Sequence, residues 1–281
     1  MSTFFERRRH AFGKGTTLDW LRVRNGRPRG LVFVPPLIGG DLSQQVHTFR
    51  WLIRERYDLL SFSYSGHGDS SGTFSLGATL RDTFHMVGHA HRVSEEEHLP
   101  LLGIASCYSA IPLLHALYRL AEPARKLVLI NAIPRLGPRA VMRSFVAHYI
   151  QDLSAEKGLP GLKAALRLYA ESLFPGVKKG RDHFGLLERG RARLLRTFSE
   201  FLMLNPLKGV CLSQTPVLCL HARGDSILKI YDLHVAKNYR NDIRRLCPQA
   251  AFHPLEADHF LSPPSARGEA VRSIASFLKG S

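Results

Sequence analysis

Short apolar runs recur along the chain, each closed by a residue that breaks regular structure. Leu31-Val32-Phe33-Val34 stops at Pro35-Pro36, and Leu59-Leu60-Ser61-Phe62-Ser63-Tyr64 stops at Gly66-His67-Gly68. Leu101-Leu102-Gly103-Ile104, Leu127-Val128-Leu129-Ile130, Val217-Leu218-Cys219-Leu220 and Ala250-Ala251-Phe252-His253 follow. Runs of this length, bounded by turn residues, predict buried strands. Between most of them apolar residues return at helical spacing, across 79–93, 111–120 and 269–278. Strands alternating with helices predict βαβ units, and so an α/β fold with a doubly wound, mostly parallel sheet.

The alternation lapses once. Between Ile130 and Val217 lie about 80 residues with helical periodicity and no strand pattern, punctuated by Pro160, Pro175, Gly180 and Gly190. Helices inserted between two parallel strands predict a cap over a site at the strand ends. The expected division is a core of residues 1–134 and 213–281 with a helical cap of residues 135–212.

Composition narrows the class. The 281 residues are 44% apolar and 22% charged, which excludes disorder and fibrous repeats. No apolar run approaches the ~18 residues of a membrane span, and no apolar stretch follows Arg7-Arg8-Arg9 as in a secretory signal. Four cysteines without a CxxC pair suit neither a disulfide scaffold nor a zinc site, so a reduced, cytoplasmic protein is expected. Charge changes the picture more. Lys and Arg number 39 against 23 Asp and Glu, and the excess is clustered. Residues 1–30 hold eight basic and two acidic side chains; residues 135–212 hold fourteen and six. Two such surfaces predict an acidic partner. Arg7-Arg8-Arg9 could touch nucleic acid, but no nucleic-acid motif accompanies it, so nucleic acid is not the expected partner.

In open parallel sheets, sites form beyond the carboxyl ends of the strands. Past the third predicted strand stands Ala105-Ser106-Cys107-Tyr108-Ser109-Ala110, followed by a helix. A strand, a tight turn and a helix make the setting of a nucleophile elbow, whose strain admits only small residues two positions either side of the nucleophile. Ser106 as nucleophile would put Ile104 and Tyr108 in those places. Cys107 puts Ala105 and Ser109 there, so sterics select the thiol. Past the fifth strand comes His221-Ala222-Arg223-Gly224-Asp225, and past the last Leu255-Glu256-Ala257-Asp258-His259. Nucleophile, acid, base is the chain order Cys107, Asp225, His259. Asp258 is read as a solvated loop carboxylate, because side chains of adjacent residues do not readily face each other. Glu95-Glu96-Glu97 reads as a solvated turn. His85 and His89 share a helix face at metal-ligand spacing, but no third ligand is evident, so neither metal nor cofactor is expected.

These residues resemble the α/β-hydrolase-fold superfamily over nearly the whole chain. Gly66-His67-Gly68-Asp69-Ser70 is similar to its GHGxS turn, and Asp225 and His259 fall on its acid and base positions. Pro35-Pro36 stands where His-Gly is common in the loop that builds the oxyanion hole; Pro36 has no N–H to donate, but Leu37 does. A closer resemblance, through Ala105–Ala110 and Gly68-Asp69-Ser70-Ser71-Gly72-Thr73, is to the acyl-carrier-protein thioesterases (acyltransferases) of bacterial bioluminescence. In that family a serine matches Cys107. A cysteine there is similar to dienelactone hydrolases and to some thioesterase domains of biosynthetic assembly lines.

The resemblance implies a thioesterase or acyltransferase forming an acyl-cysteine on Cys107, with His259 as base, Asp225 as acid, and the backbone N–H groups of Leu37 and Tyr108 as oxyanion hole. The substrate would be an acyl thioester, carried on coenzyme A or on an acidic acyl carrier protein. Such a carrier would meet the basic cap, where Arg181, Arg189, Arg191, Arg193 and Arg196 are the expected contacts. A lactone or ester hydrolase with the same triad is the alternative, and a non-catalytic binding protein of the same fold the third.

Overall fold

A computed structural model describes residues 3–12, 16–37, 42–134, 199–200, 203, 205–225 and 238–280. Its centre is an eight-stranded sheet. The strands are β1 (Thr3–Phe12), β2 (Thr16–Asn25), β3 (Leu31–Phe33), β4 (Asp58–Phe62), β5 (Leu101–Ser106), β6 (Lys126–Ile130), β7 (Val217–Ala222) and β8 (Ala250–Leu255). Their spatial order is β1-β2-β4-β3-β5-β6-β7-β8. β1 and β2 form an antiparallel hairpin and β2 joins β4 antiparallel, while every pairing from β4 to β8 is parallel.

The described helices are α1 (Leu42–Phe49), α2 (Trp51–Arg54), α3 (Leu76–Glu96), α4 (Ala110–Arg119), α5 (Asn238–Leu246) and α6 (Pro264–Lys279). They cover the two faces of the sheet. On β5, Leu101 and Ala105 point into a core shared with Met86 and Ala90 of α3, Leu113 and Leu117 of α4 and Ile243 of α5. Leu102 and Ile104 point the other way, to Phe49 of α1, Leu52 of α2 and Ile274 of α6. A strand covered on both faces needs apolar side chains at every position, which is why the central strands appear as unbroken runs. Among the described residues no helix is long and apolar enough to cross a membrane.

Two readings of the sequence need correction. β1 and β2 were not expected, because their side chains do not alternate simply between apolar and polar. β2 is buried on both faces and puts a charged residue on each, Asp19 and Arg22, each only 3% exposed. Glu97, expected in a solvated turn, belongs to the buried ion network that explains Arg22. The Arg22 guanidinium donates to Asp58 at 2.6 Å and to both Glu97 carboxylate oxygens at 2.6 and 2.7 Å, and Arg24 adds 3.1 Å to Glu97. This network ties the hairpin to β4 and to the end of α3. Removing one partner strands a buried charge, so Arg22→Ala should lower unfolding stability by about 3–5 kcal/mol, read from urea denaturation.

Candidate active site

The parallel strands end at one edge of the sheet, and their loops carry the candidate residues. β5 runs extended to Ser106 (φ −123°) and then breaks at Cys107, whose φ is +51°. A left-handed conformation at a residue with a side chain costs about 1–2 kcal/mol and must be held by its surroundings. Here the Ser109 hydroxyl accepts from the Ser106 N–H at 3.0 Å and donates to the Ser106 carbonyl at 2.8 Å, strapping the turn. Ser106 thus serves the turn's backbone, and the thiol beside it stands at the apex. Tyr108 is buried, and its hydroxyl lies 2.7 Å from Thr79 Oγ1 of α3. α4 starts at Ala110, so its positive end lies next to the elbow.

The acid and base loops are zipped together by an extension of the β7–β8 ladder. Arg223 N–H donates to the Leu255 carbonyl and Gly224 N–H to the Ala257 carbonyl, both at 2.9 Å. A Cβ on Gly224 would lie 2.7 Å from that Ala257 oxygen, so only glycine permits the approach. Across this junction His259 Nδ1 lies 2.7 Å from Asp225 Oδ2, with Asp225 fully buried and His259 8% exposed. The Cys107 thiol lies within electrostatic reach of the imidazole. Burial alone would lower the pKa of His259. The hydrogen bond to Asp225 and the proximity of Cys107 outweigh it and raise the value from 6.5 to about 10.

The structure thus brings Cys107, His259 and Asp225 together, with the hydrogen bond running between His259 and Asp225. Asp258 turns away: its Oδ1 accepts from the N–H groups of Phe260 at 3.1 Å and Ser262 at 2.8 Å, closing its own loop. Leu37, half-buried, follows β3, which pairs with β5, so the Leu37 and Tyr108 segments leave adjacent strands at the same end. The Gly66-His67-Gly68-Asp69-Ser70 turn has left-handed φ at Gly66 (+77°) and Gly68 (+50°), and Ser70 Oγ links it to the Ser63 carbonyl at 2.7 Å and the Asp19 N–H at 2.9 Å. Of the other thiols, Cys219 and Cys247 are buried, and burial pushes Cys219 up to about 12. His85 stacks on Phe12, and His89 packs tilted against His10 and Trp20. Arg181, Arg189, Arg191, Arg193 and Arg196 lie outside the described residues, as does most of the predicted cap. Glu200, where description resumes, accepts from the Leu76 N–H at the start of α3 at 2.7 Å.

One residue at this edge escaped the sequence reading. Asn131 follows β6, is 1% exposed and has φ +46°. Its Nδ2 donates to the His259 carbonyl at 2.8 Å and its Oδ1 accepts from the Ala222 N–H at 2.7 Å. A polar residue directly past a strand was the available signal; the loop after the fourth predicted strand carried no obvious nucleophile, acid or base.

No family model matches the chain, and no curated protein matches it. Solved structures do. A soluble variant of monoglyceride lipase from Saccharomyces cerevisiae aligns with a TM-score of 0.60 at 14% identity, over 98% of this chain and 94% of the lipase. An esterase from Pyrococcus furiosus aligns at 0.63 and 15%, over 98% and 90% of the two chains. An enol-lactonase from Burkholderia xenovorans aligns at 0.59 and 13%, over 95% and 98%. The chain has the α/β-hydrolase fold. At these identities the likeness concerns architecture.

Proposed function

We propose that this protein is an acyl-thioester-processing enzyme, a thioesterase or acyltransferase, that works through an acyl-cysteine intermediate on Cys107. The observation that carries the reading is the His259–Asp225 hydrogen bond past β7 and β8, set next to a thiol on a left-handed elbow that helps to raise the proton affinity of the imidazole. A cationic imidazole favours the thiolate, which is the nucleophilic form. The sulfur attacks the substrate carbonyl carbon, and the oxyanion is taken up by the Leu37 and Tyr108 N–H groups. The carbon–sulfur bond to the leaving group then breaks, and His259 gives its proton to the departing thiolate. His259, now neutral, takes a proton from water or from an acceptor, whose oxygen, nitrogen or sulfur displaces Cys107 and regenerates the enzyme.

The nucleophile selects the substrate. Exchange of one thioester for another is nearly isoenergetic, whereas forming an acyl-cysteine from an oxygen ester is uphill. An acidic carrier protein, or coenzyme A, suits the clustered positive charge of residues 135–212, with Arg181, Arg189, Arg191, Arg193 and Arg196 as the docking side chains. A second reading, hydrolysis of esters or lactones by the same triad, draws support from the lipase, esterase and enol-lactonase among proteins of this fold. Matched thioester, oxygen ester and lactone substrates of one acyl chain separate the two. The thioester should have the highest kcat/KM, by at least about tenfold, or ~1.4 kcal/mol of barrier. A faster oxygen ester or lactone would replace the first reading with the second.

A further inference from the structure

The loop after β6 touches the elbow, the base loop and the strand that leads to the acid loop. The Ile133 N–H donates to the carbonyl of Cys107 itself at 3.1 Å. Two residues earlier, Asn131 Nδ2 donates to the carbonyl of His259 itself at 2.8 Å. Asn131 Oδ1 accepts at 2.7 Å from Ala222, the last residue of β7 and three before Asp225, and the Asn131 N–H donates to Leu220 at 2.9 Å. Nucleophile, base and acid are thus indexed to one short segment by bonds to their own backbones or to the strand that feeds them. The left-handed φ of Asn131 turns the side chain to this task, and asparagine tolerates that conformation better than most residues while offering both a donor and an acceptor.

We propose that Asn131 is the positioning residue of this site, setting the His259 imidazole between Cys107 and Asp225 without contacting the reacting atoms. The inference rests on the Cys107–His259 reading above. Its physical basis is that a hydrogen bond to a ring nitrogen is steep in distance and angle, so a small drift of the His259 backbone loosens the bond to Asp225 and moves the ring relative to Cys107 at once. The same drift weakens the interactions that raise its proton affinity.

The test uses the full chain with Cys211→Ser, which removes an exposed competing thiol. Asn131→Gly keeps the left-handed backbone and loses both side-chain bonds. Asn131→Asp keeps the acceptor for Ala222 and loses only the donor to His259. Rates of Cys107 alkylation by iodoacetamide are followed against pH, with kcat and KM measured on a small thioester and folding checked by circular dichroism. Asn131→Gly should lower kcat by ~10²-fold with KM little changed, as for a displaced catalytic group, and should move the basic limb of the profile below that of the parent. Asn131→Asp, the variant that also serves if the glycine variant fails to fold, should shift both in the same direction by less. A folded variant with parental kcat and an unmoved pH profile overturns the role of Asn131. His259→Ala keeps the two readings apart. If it leaves alkylation unchanged, the Cys107–His259 reading has failed. If it slows alkylation while both Asn131 variants do not, only the positioning role has failed.

Discussion

Cys107→Ala is expected to reduce turnover of an acyl thioester by roughly 10⁴–10⁶-fold while the circular dichroism spectrum and unfolding midpoint stay close to the parent's. The loss is large because the elbow presents one nucleophilic atom, and no neighbour can replace it. Ser106 spends its backbone on the strap with Ser109, and Cys219 and Cys247 are buried. Cys107→Ser should retain a small residual rate, since the turn suits either atom, but hydroxyl attack must await removal of a proton by His259. Labelling by iodoacetamide should disappear at position 107 in both variants. Full activity in Cys107→Ala together with loss in Ser106→Ala would move the nucleophile one residue back and contradict the steric reading of the elbow.

Asp225→Asn should cost roughly 10⁴-fold in kcat, because it removes the group that orients the imidazole and balances its charge. Its pH signature is more specific. The pKa of His259 is raised from 6.5 to about 10 in the folded protein, so the imidazolium favours the folded state. That contribution is complete below the ordinary value of 6.5 and is lost as pH rises through about 10. Activity that needs the proton on His259 should accordingly fall on the alkaline side near pH 10. In Asp225→Asn the burial of His259 remains while its strongest partner is weakened, so the alkaline limb should move toward neutrality. Unfolding stability measured across pH 7–10 should slope downward in the parent and be flatter in the variant. Asp258→Asn should change neither profile, since its carboxylate closes its own loop on Phe260 and Ser262.

What could be read without a structure follows from the kind of signal each part leaves. The parallel strands were legible because a strand buried on both faces is apolar throughout: Leu127–Ile130 and Val217–Leu220 fall within β6 and β7. The edge hairpin was not, because β1 faces solvent along most of its length and β2 buries Asp19 and Arg22 as partners of Arg7, Asp58 and Glu97. A buried ion pair looks like exposed polarity in a sequence. Cys107, Asp225 and His259 could be singled out because each has chemistry in its side chain and stands just past a strand. Asn131 works through other residues' carbonyl and N–H groups, and no residue type announces that. The zipper that holds the acid loop to the base loop left one trace, Gly224, whose need for glycine comes from the Ala257 carbonyl across the gap. The basic residues of 135–212 remain a statement about charge.

The most direct measurement is the intact mass of the protein after a brief reaction with an activated acyl thioester, followed by peptide mapping. One acyl group should be found on Cys107, decaying when water or an acceptor is supplied, and its lifetime should lengthen in His259→Ala. Turnover of the thioester with no acyl adduct on Cys107, in a trap fast enough to hold one, would contradict covalent catalysis by this cysteine.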